Sequence, residues 1–159
     1  MDALNGIDRQ KIVLFTLDEP RYALSVSGVV RVVRAVEITP LPKAPDVVLG
    51  VINFHGEFIP VIDIRKRFHL PQREMQLEDQ FIIARTSQRL VAIIVDSVNG
   101  VYQLEHHQVV QAGESFPYTE YLSGITSIEH NIILVNDLDK FISIDEEQHL
   151  KEAIAGEIQ

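Results

Sequence analysis

Gly50-Val51-Ile52-Asn53-Phe54-His55-Gly56-Glu57-Phe58-Ile59-Pro60-Val61-Ile62-Asp63-Ile64-Arg65-Lys66 can be laid without a gap on the segment Gly124 to Lys140. Gly50 meets Gly124, Val51 meets Ile125, Phe54 meets Ile128, Phe58-Ile59 meets Ile132-Ile133, Val61 meets Val135, Asp63 meets Asp137 and Ile64 meets Leu138. Upstream, Ile12-Val13-Leu14 sits on Phe81-Ile82-Ile83, Ala23-Leu24 on Ala92-Ile93, Val26 on Val95 and Val29 on Val98. Any two apolar hairpins share an alternating pattern. A shared order of elements is harder to obtain that way, and it points to a duplicated unit.

The rest of the chain reads in the same terms. Short runs of Val, Ile and Phe are bounded by Gly, Pro, Asn and Asp rather than recurring at helical spacing, so the fold is all-β in character. Ile12 to Leu17 and Arg21 to Ser25 flank Asp18-Glu19-Pro20 as a hairpin, and Val29 to Val36 is a third strand. Pro40, Pro42 and Pro45 mark a loop, because proline lacks the donor a central strand needs. Val51 to Phe54 and Glu57 to Ile62 form a second hairpin turned at His55-Gly56. After a polar connector, Leu70 to Asp79, the pattern restarts with Phe81 to Arg85, Arg89 to Val95 and Val98 to Leu104. Ser115 to Tyr121 reads as loop. In the tail, Ser143 with Glu146 fits a capping box, and Leu150, Ala153 and Ile154 share one helical face.

A sheet of about five short strands escapes its exposed edges by curling into a barrel. The expected architecture is therefore two small five-stranded barrels in one domain spanning 1–159. The first covers about 11–69, the second about 80–142, and a C-terminal helix about 143–155. Barrels of this size leave apolar surface uncovered, so a groove between them is where partners would be met.

Composition narrows the function. The 159 residues include no cysteine, which removes disulfides, thiolate metal sites and a cysteine nucleophile. The start of the chain lacks the basic and apolar regions of a secretion signal, and the longest apolar run, Leu90 to Val95, is far short of a membrane span. A cytoplasmic protein without membrane insertion is expected. A formal charge of −9 argues against nucleic acid as a partner. The basic cluster Arg65-Lys66-Arg67 is read as a solvated turn or helix face.

The search for chemistry finds no enzyme. His106 and His107 are adjacent, which points them apart, and no histidine pair shows ligand spacing, so neither metal nor cofactor is expected. His55 and His130 fall at hairpin turns, and His69 and His149 are read as surface residues. Phosphate-loop, nucleophile-elbow and zinc-protease motifs are absent from the sequence. Asp63 and Asp137 are equivalent positions of the repeat, suited to capping the turn after each hairpin rather than to sharing an active site.

Gly50 to Arg65 resembles the hallmark hairpin of the CheW family of chemotaxis adaptors. Thr119-Glu120-Tyr121-Leu122-Ser123-Gly124-Ile125 and Arg89-Leu90-Val91-Ala92-Ile93-Ile94-Val95-Asp96-Ser97-Val98 resemble two further family segments, so the likeness runs from about Lys11 to the terminal helix. The resemblance implies a fold of two five-stranded barrels and a non-catalytic scaffold that couples the cytoplasmic tip of chemoreceptors to the regulatory domain of a CheA-type histidine kinase. Two departures stand out. The family's turn usually reads Asn-Leu-Arg-Gly, where this chain has Asn53-Phe54-His55-Gly56, and its third strand usually carries a glutamate where this chain has Val32. A permanent cation is thus replaced by histidine, and an acid is lost. The resemblance and the repeat together assign partner binding to Val30, Val32, Arg34, Asn53, Phe54, His55, Gly56 and, in the second half, Val98. Two alternatives stay open: a divergent CheW-like protein serving a pilus-type or stand-alone pathway, and a sensor holding a small ligand between the barrels.

Overall fold

The computed structural model describes residues 9–18, 21–25, 29–105 and 122–158. The expected loop at Ser115 to Tyr121, the pair His106 and His107, the Glu19-Pro20 turn and Val26 lie outside them. Ten strands alternate with tight turns: β1 (Arg9–Thr16), β2 (Arg21–Ser25), β3 (Val29–Arg34), β4 (Val48–Phe54), β5 (Glu57–Ile62), β6 (Gln80–Arg85), β7 (Leu90–Val95), β8 (Ser97–Glu105), β9 (Leu122–Ile128) and β10 (Asn131–Asn136). One helical turn, Ile64–Arg67, follows β5, a 3₁₀ turn, Leu138–Lys140, follows β10, and a terminal helix spans Ile144–Ile158.

The strands make two five-stranded sheets, ordered β8-β1-β2-β10-β9 and β3-β6-β7-β5-β4. Neither sheet corresponds to one half of the chain, so the expected division into 11–69 and 80–142 is corrected. Each half's first hairpin joins the last three strands of the other half. The cause is a pair of parallel contacts that local patterning does not announce: Val135 and Asn136 of β10 lie beside Ala23 and Leu24 of β2, and Val61 and Ile62 of β5 lie beside Ala92 and Ile93 of β7. These are the same rungs under the repeat. The antiparallel contacts repeat as well, with Ile12 opposite Tyr102 and Phe81 opposite Val33, and each ladder is interrupted by a bulge at the equivalent place. Duplication is therefore real, and its two copies are interleaved.

Interleaving explains the continuous apolar runs. On β1, Ile12 and Leu14 pack with Ala23, Leu104, Ile128, Ile133 and Val135 inside the first sheet. Val13 and Phe15, pointing the other way, join Leu24 of the first sheet and Ile82, Val91 and Ile93 of the second in a core between the two. Phe81, Ile83 and Ala92 fill a third core inside the second sheet with Ile52, Ile59 and Val61. A strand buried on both faces cannot alternate with polar residues. Each large apolar side chain so enclosed contributes about 2 kcal/mol.

The terminal helix closes the middle core through Leu150 and Ala153, with Ile154 packed at its margin. Its start is the expected capping box: the Ser143 N–H donates to Glu146 Oε1 at 2.9 Å, and the Glu146 N–H donates to Ser143 Oγ at 3.1 Å. The two equivalent aspartates also cap. The Arg65 N–H donates to Asp63 Oδ1 and the Asp139 N–H to Asp137 Oδ1, each at 3.0 Å.

The basic cluster is a solvated face only at Lys66, which is exposed. Arg65 is buried and donates to Asp18 at 3.0 Å and to Asp96 at 2.8 Å, Lys66 reaches the Asp46 carbonyl at 2.7 Å, and Arg67 pairs with Glu146. Arg73 pairs with Asp79 at 2.7 Å and also with Asp96. Asp96 takes a further bond of 2.6 Å from the Asp18 N–H. This cluster ties the end of β1, the β7–β8 junction, the turn after β5 and the polar connector, which is why short-range charge patterning misread it. Burial pushes the Asp96 carboxyl up, but hydrogen bonds from Arg73, the Asp18 N–H and Arg65 outweigh that and hold it below its ordinary 3.8.

Beyond β3, the Thr39 N–H donates to the Val51 carbonyl at 2.9 Å and the Val51 N–H returns a bond to Thr39 at 2.8 Å, so the chain leaving one edge of the second sheet meets the other edge. Gly50 permits this approach, since a Cβ there would sit 2.2 Å from the Thr39 carbonyl oxygen. Gly50→Ala is expected to lower the unfolding free energy by about 2 kcal/mol or more. Gly156→Ala, in the terminal helix with nothing within 4 Å of the new methyl, is expected to raise it by up to ~1 kcal/mol. Urea titration of both variants checks the contrast. A carboxyl depressed on folding stabilises above its unfolded pKa and loses that contribution as pH falls through its folded pKa. Wild-type stability is therefore expected to fall as pH drops below 3.8 in part through Asp96. Asp96→Asn should be less stable at neutral pH and show a shallower decline in acid; an unchanged decline in the urea midpoint would contradict this.

Candidate functional site

The β4–β5 hairpin ends in a two-residue turn with His55 at φ 52° and Gly56 at φ 83°, the left-handed pair that matches the twist of its strands. Asn53 Oδ1 accepts the Gly56 N–H at 2.8 Å and holds the turn closed. His55 is exposed, and its ring meets that of half-buried Phe54 edge-on with centroids 4.4 Å apart. Phe54 in turn rests on the core inside the second sheet. The tip is thus a rigid polar cap over an apolar base.

Edge strand β3 runs beside it. The β3–β6 register shifts between Val29 and Arg31, leaving Val30 in a bulge and 55% exposed. A bulge re-aims the side chains that follow it. Arg31 consequently faces the hairpin, with Nη1 3.5 Å from His55 Nε2. Guanidinium nitrogens only donate, so the imidazole accepts in this contact.

Val32, to which the family likeness assigned the glutamate position, is not the residue beside His55. It is half-buried and packed on the core between the sheets, and Arg31 takes the place facing the turn. The bulge at Val30 shifts the β3 register by one residue, and nothing in the local sequence marks it. Arg31 is the residue that sequence reasoning passed over. Arg34 is exposed at the far end of β3, about 13 Å from Val30 at strand rise. It sits opposite Gln80, whose Oε1 accepts the Val98 N–H at 2.8 Å, so Arg34 and Val98 are neighbours of that other end. The structure therefore gathers Val30, Asn53, Phe54, His55 and Gly56 around Arg31 and sets Arg34 and Val98 apart.

A cleft of about 260 Å³ lies beside the connector, lined by Ile38, Leu49, Arg65, Arg73, Met75 and Asp96 among others. Its charges already pair with one another, leaving little to hold a polar ligand. Among the described residues, no group of three His, Asp or Glu is placed to hold a metal ion, and no helix is long and apolar enough to cross a membrane.

The family model for the CheW-like domain matches residues 11–146. The chain belongs to the CheW-like family. Chemotaxis protein CheW of Thermotoga maritima is 31% identical over 153 residues, covering 96% of this chain and 97% of that protein. Chemotaxis protein CheW of Treponema pallidum is 29% identical over 146 residues, covering 88% of this chain and 86% of its own. The crystal structure of the scaffolding protein TtCheW from Thermoanaerobacter tengcongensis superposes with a TM-score of 0.79 at 30% identity, covering 86% of this chain and 94% of that one. The resemblance carried by Gly50 to Arg65 thus extends through the whole fold, and as a CheW-like protein the chain is a non-catalytic scaffold of chemotaxis-type signalling.

Placement decides which surface variants are benign. Val32→Glu puts a carboxylate against the middle core and is expected to cost about 2 kcal/mol, whereas Val30→Glu should stay within about 0.5 kcal/mol of wild type. Thermal melts of the two variants check this; equal melting temperatures would contradict the assigned burial.

Proposed function

We propose that this CheW-like chain couples the cytoplasmic tips of chemoreceptors to the regulatory domain of a CheA-type histidine kinase, and that the β3 edge with the β4–β5 tip is one of its contact faces. The observation that carries this reading is Val30, an apolar side chain pushed into solvent by a bulge on an edge strand, next to a hairpin whose turn is fixed by its own hydrogen bond. An exposed valine next in sequence to Arg31, whose guanidinium approaches His55 of the tip, has the make-up of a small interface: an apolar centre with a polar rim. Val98 and Arg34 extend the same role to the far end of β3, where the two sheets adjoin.

Titration calorimetry against the CheA-type regulatory domain from the same genome is expected to give micromolar binding, and Val30→Glu is expected to weaken it about tenfold, or ~1.4 kcal/mol, with the melting temperature retained. Wild-type affinity in Val30→Glu would remove this face from the interface.

A further inference from the structure

We infer a conformational device built into the first sheet: the β9–β10 hairpin parts from β2 as a unit, at a contact that buried Asn136 makes the weaker of the two parallel rungs. The duplication supplies the comparison. Ile62 closes the β5–β7 rung opposite Ile93 and is 1% exposed, in the core between the sheets. The equivalent residue of the β2–β10 rung is Asn136, also 1% exposed, opposite Leu24. Both sit at the same register shift of their hairpins, so the backbone is alike and the side chain differs. Asn136 Nδ2 donates to the Leu134 carbonyl at 3.1 Å and, across the rung, to the Ala23 carbonyl at 3.3 Å. Its Oδ1 is, among the described residues, the one buried side-chain polar atom without a hydrogen-bond partner. An amide buried with its acceptor unmatched opposes closure, where an isoleucine in its place favours it.

The far end of the hairpin points the same way. Its two-residue turn sets Glu129 at φ 51° and His130 at φ 68°, whereas the equivalent turn of β4–β5 has a glycine, Gly56, in second place. A side chain in the left-handed region costs backbone energy that glycine avoids. Both ends of β9–β10 are thus weaker than their counterparts in β4–β5. Strand β9 lies at the edge of its sheet and bonds β10, so the pair moves together and the break falls at β2. Opening uncovers the β2 edge and withdraws Ile128, Ile133 and Val135 from the inner core. The firmer copy, β4–β5, is the one that carries the tip beside β3.

Native-state hydrogen exchange of the full chain in sub-denaturing urea, read peptide by peptide, tests this. In the wild type, amides of residues 122–136 are expected to exchange through an opening about tenfold or more populated than the one that exposes residues 48–62. Asn136→Val should slow exchange of 122–136 about tenfold, and His130→Gly, at an exposed position, about threefold. Asn136→Leu, closer to the amide in shape, covers the case of a gap left by valine. Equal protection of 122–136 and 48–62 in the wild type overturns the inference. So does exchange of 122–136 that slows in neither Asn136 variant, because the amide's bonds then hold the hairpin closed rather than weaken it.

Discussion

The parallel rungs between β2 and β10 and between β5 and β7 are the constraint on which the rest of the molecule depends. They place the first hairpin of each half beside the last strands of the other, so neither half can complete a sheet alone. Everything downstream follows from that exchange. Strands β1, β2, β6 and β7 become central in their sheets and are buried on both faces, one facing an inner core and the other a core shared by both sheets. Because these contacts join distant parts of the chain, their loop-closure cost precedes any gain, and the fold relies on burial to recover it.

Charge is used where the exchange leaves a seam. Arg65 and Arg73 collect Asp18, Asp79 and Asp96 from segments that meet only after the sheets form. Ion pairs of limited exposure add little net stability over apolar packing, but removing one member leaves the others without compensation. Their effect here is to fix which segments meet. The polar connector, far from being a slack link between halves, is held by Arg73 and by the Ala35 N–H bonded to the Asp79 carbonyl at 2.9 Å. An aromatic chain runs parallel to this seam, with Tyr22 stacked on Phe15 and Phe68, and Phe68 set edge-on to Phe141 at 5.9 Å. It links the first sheet to the turn after β5 and to the approach of the terminal helix.

At the open end of the second sheet, one inserted residue changes what the surface offers. Without the bulge at Val30, strict alternation along β3 would govern which side chains face the β4–β5 tip. With it, a valine is left in solvent and a guanidinium is turned to a histidine. A scaffold works by such details of surface, because its partners meet side chains that the core does not need. The same bulge position in the first sheet, on β8, is occupied by Asn99 rather than valine, so the two halves share backbone geometry while presenting different chemistry.

The sequence alone determined the local elements. Apolar runs, turn residues and the Ser143–Glu146 spacing define the hairpins, the β character and the terminal helix, because each rests on neighbours a few residues apart. The gapless match of Gly50 to Lys66 with Gly124 to Lys140 determined the duplication, and with it the capping role shared by Asp63 and Asp137. Hairpin identity, however, does not say which hairpin meets which, since alternating strands present similar edges. Only the tertiary structure decided the exchange of strands, because a parallel rung is chosen by how three cores fill together. It also decided the burial of Arg65 and the placing of Arg31 in front of His55. The first depends on aspartates far off in the chain, and the second on a one-residue slip that no pattern of valines records.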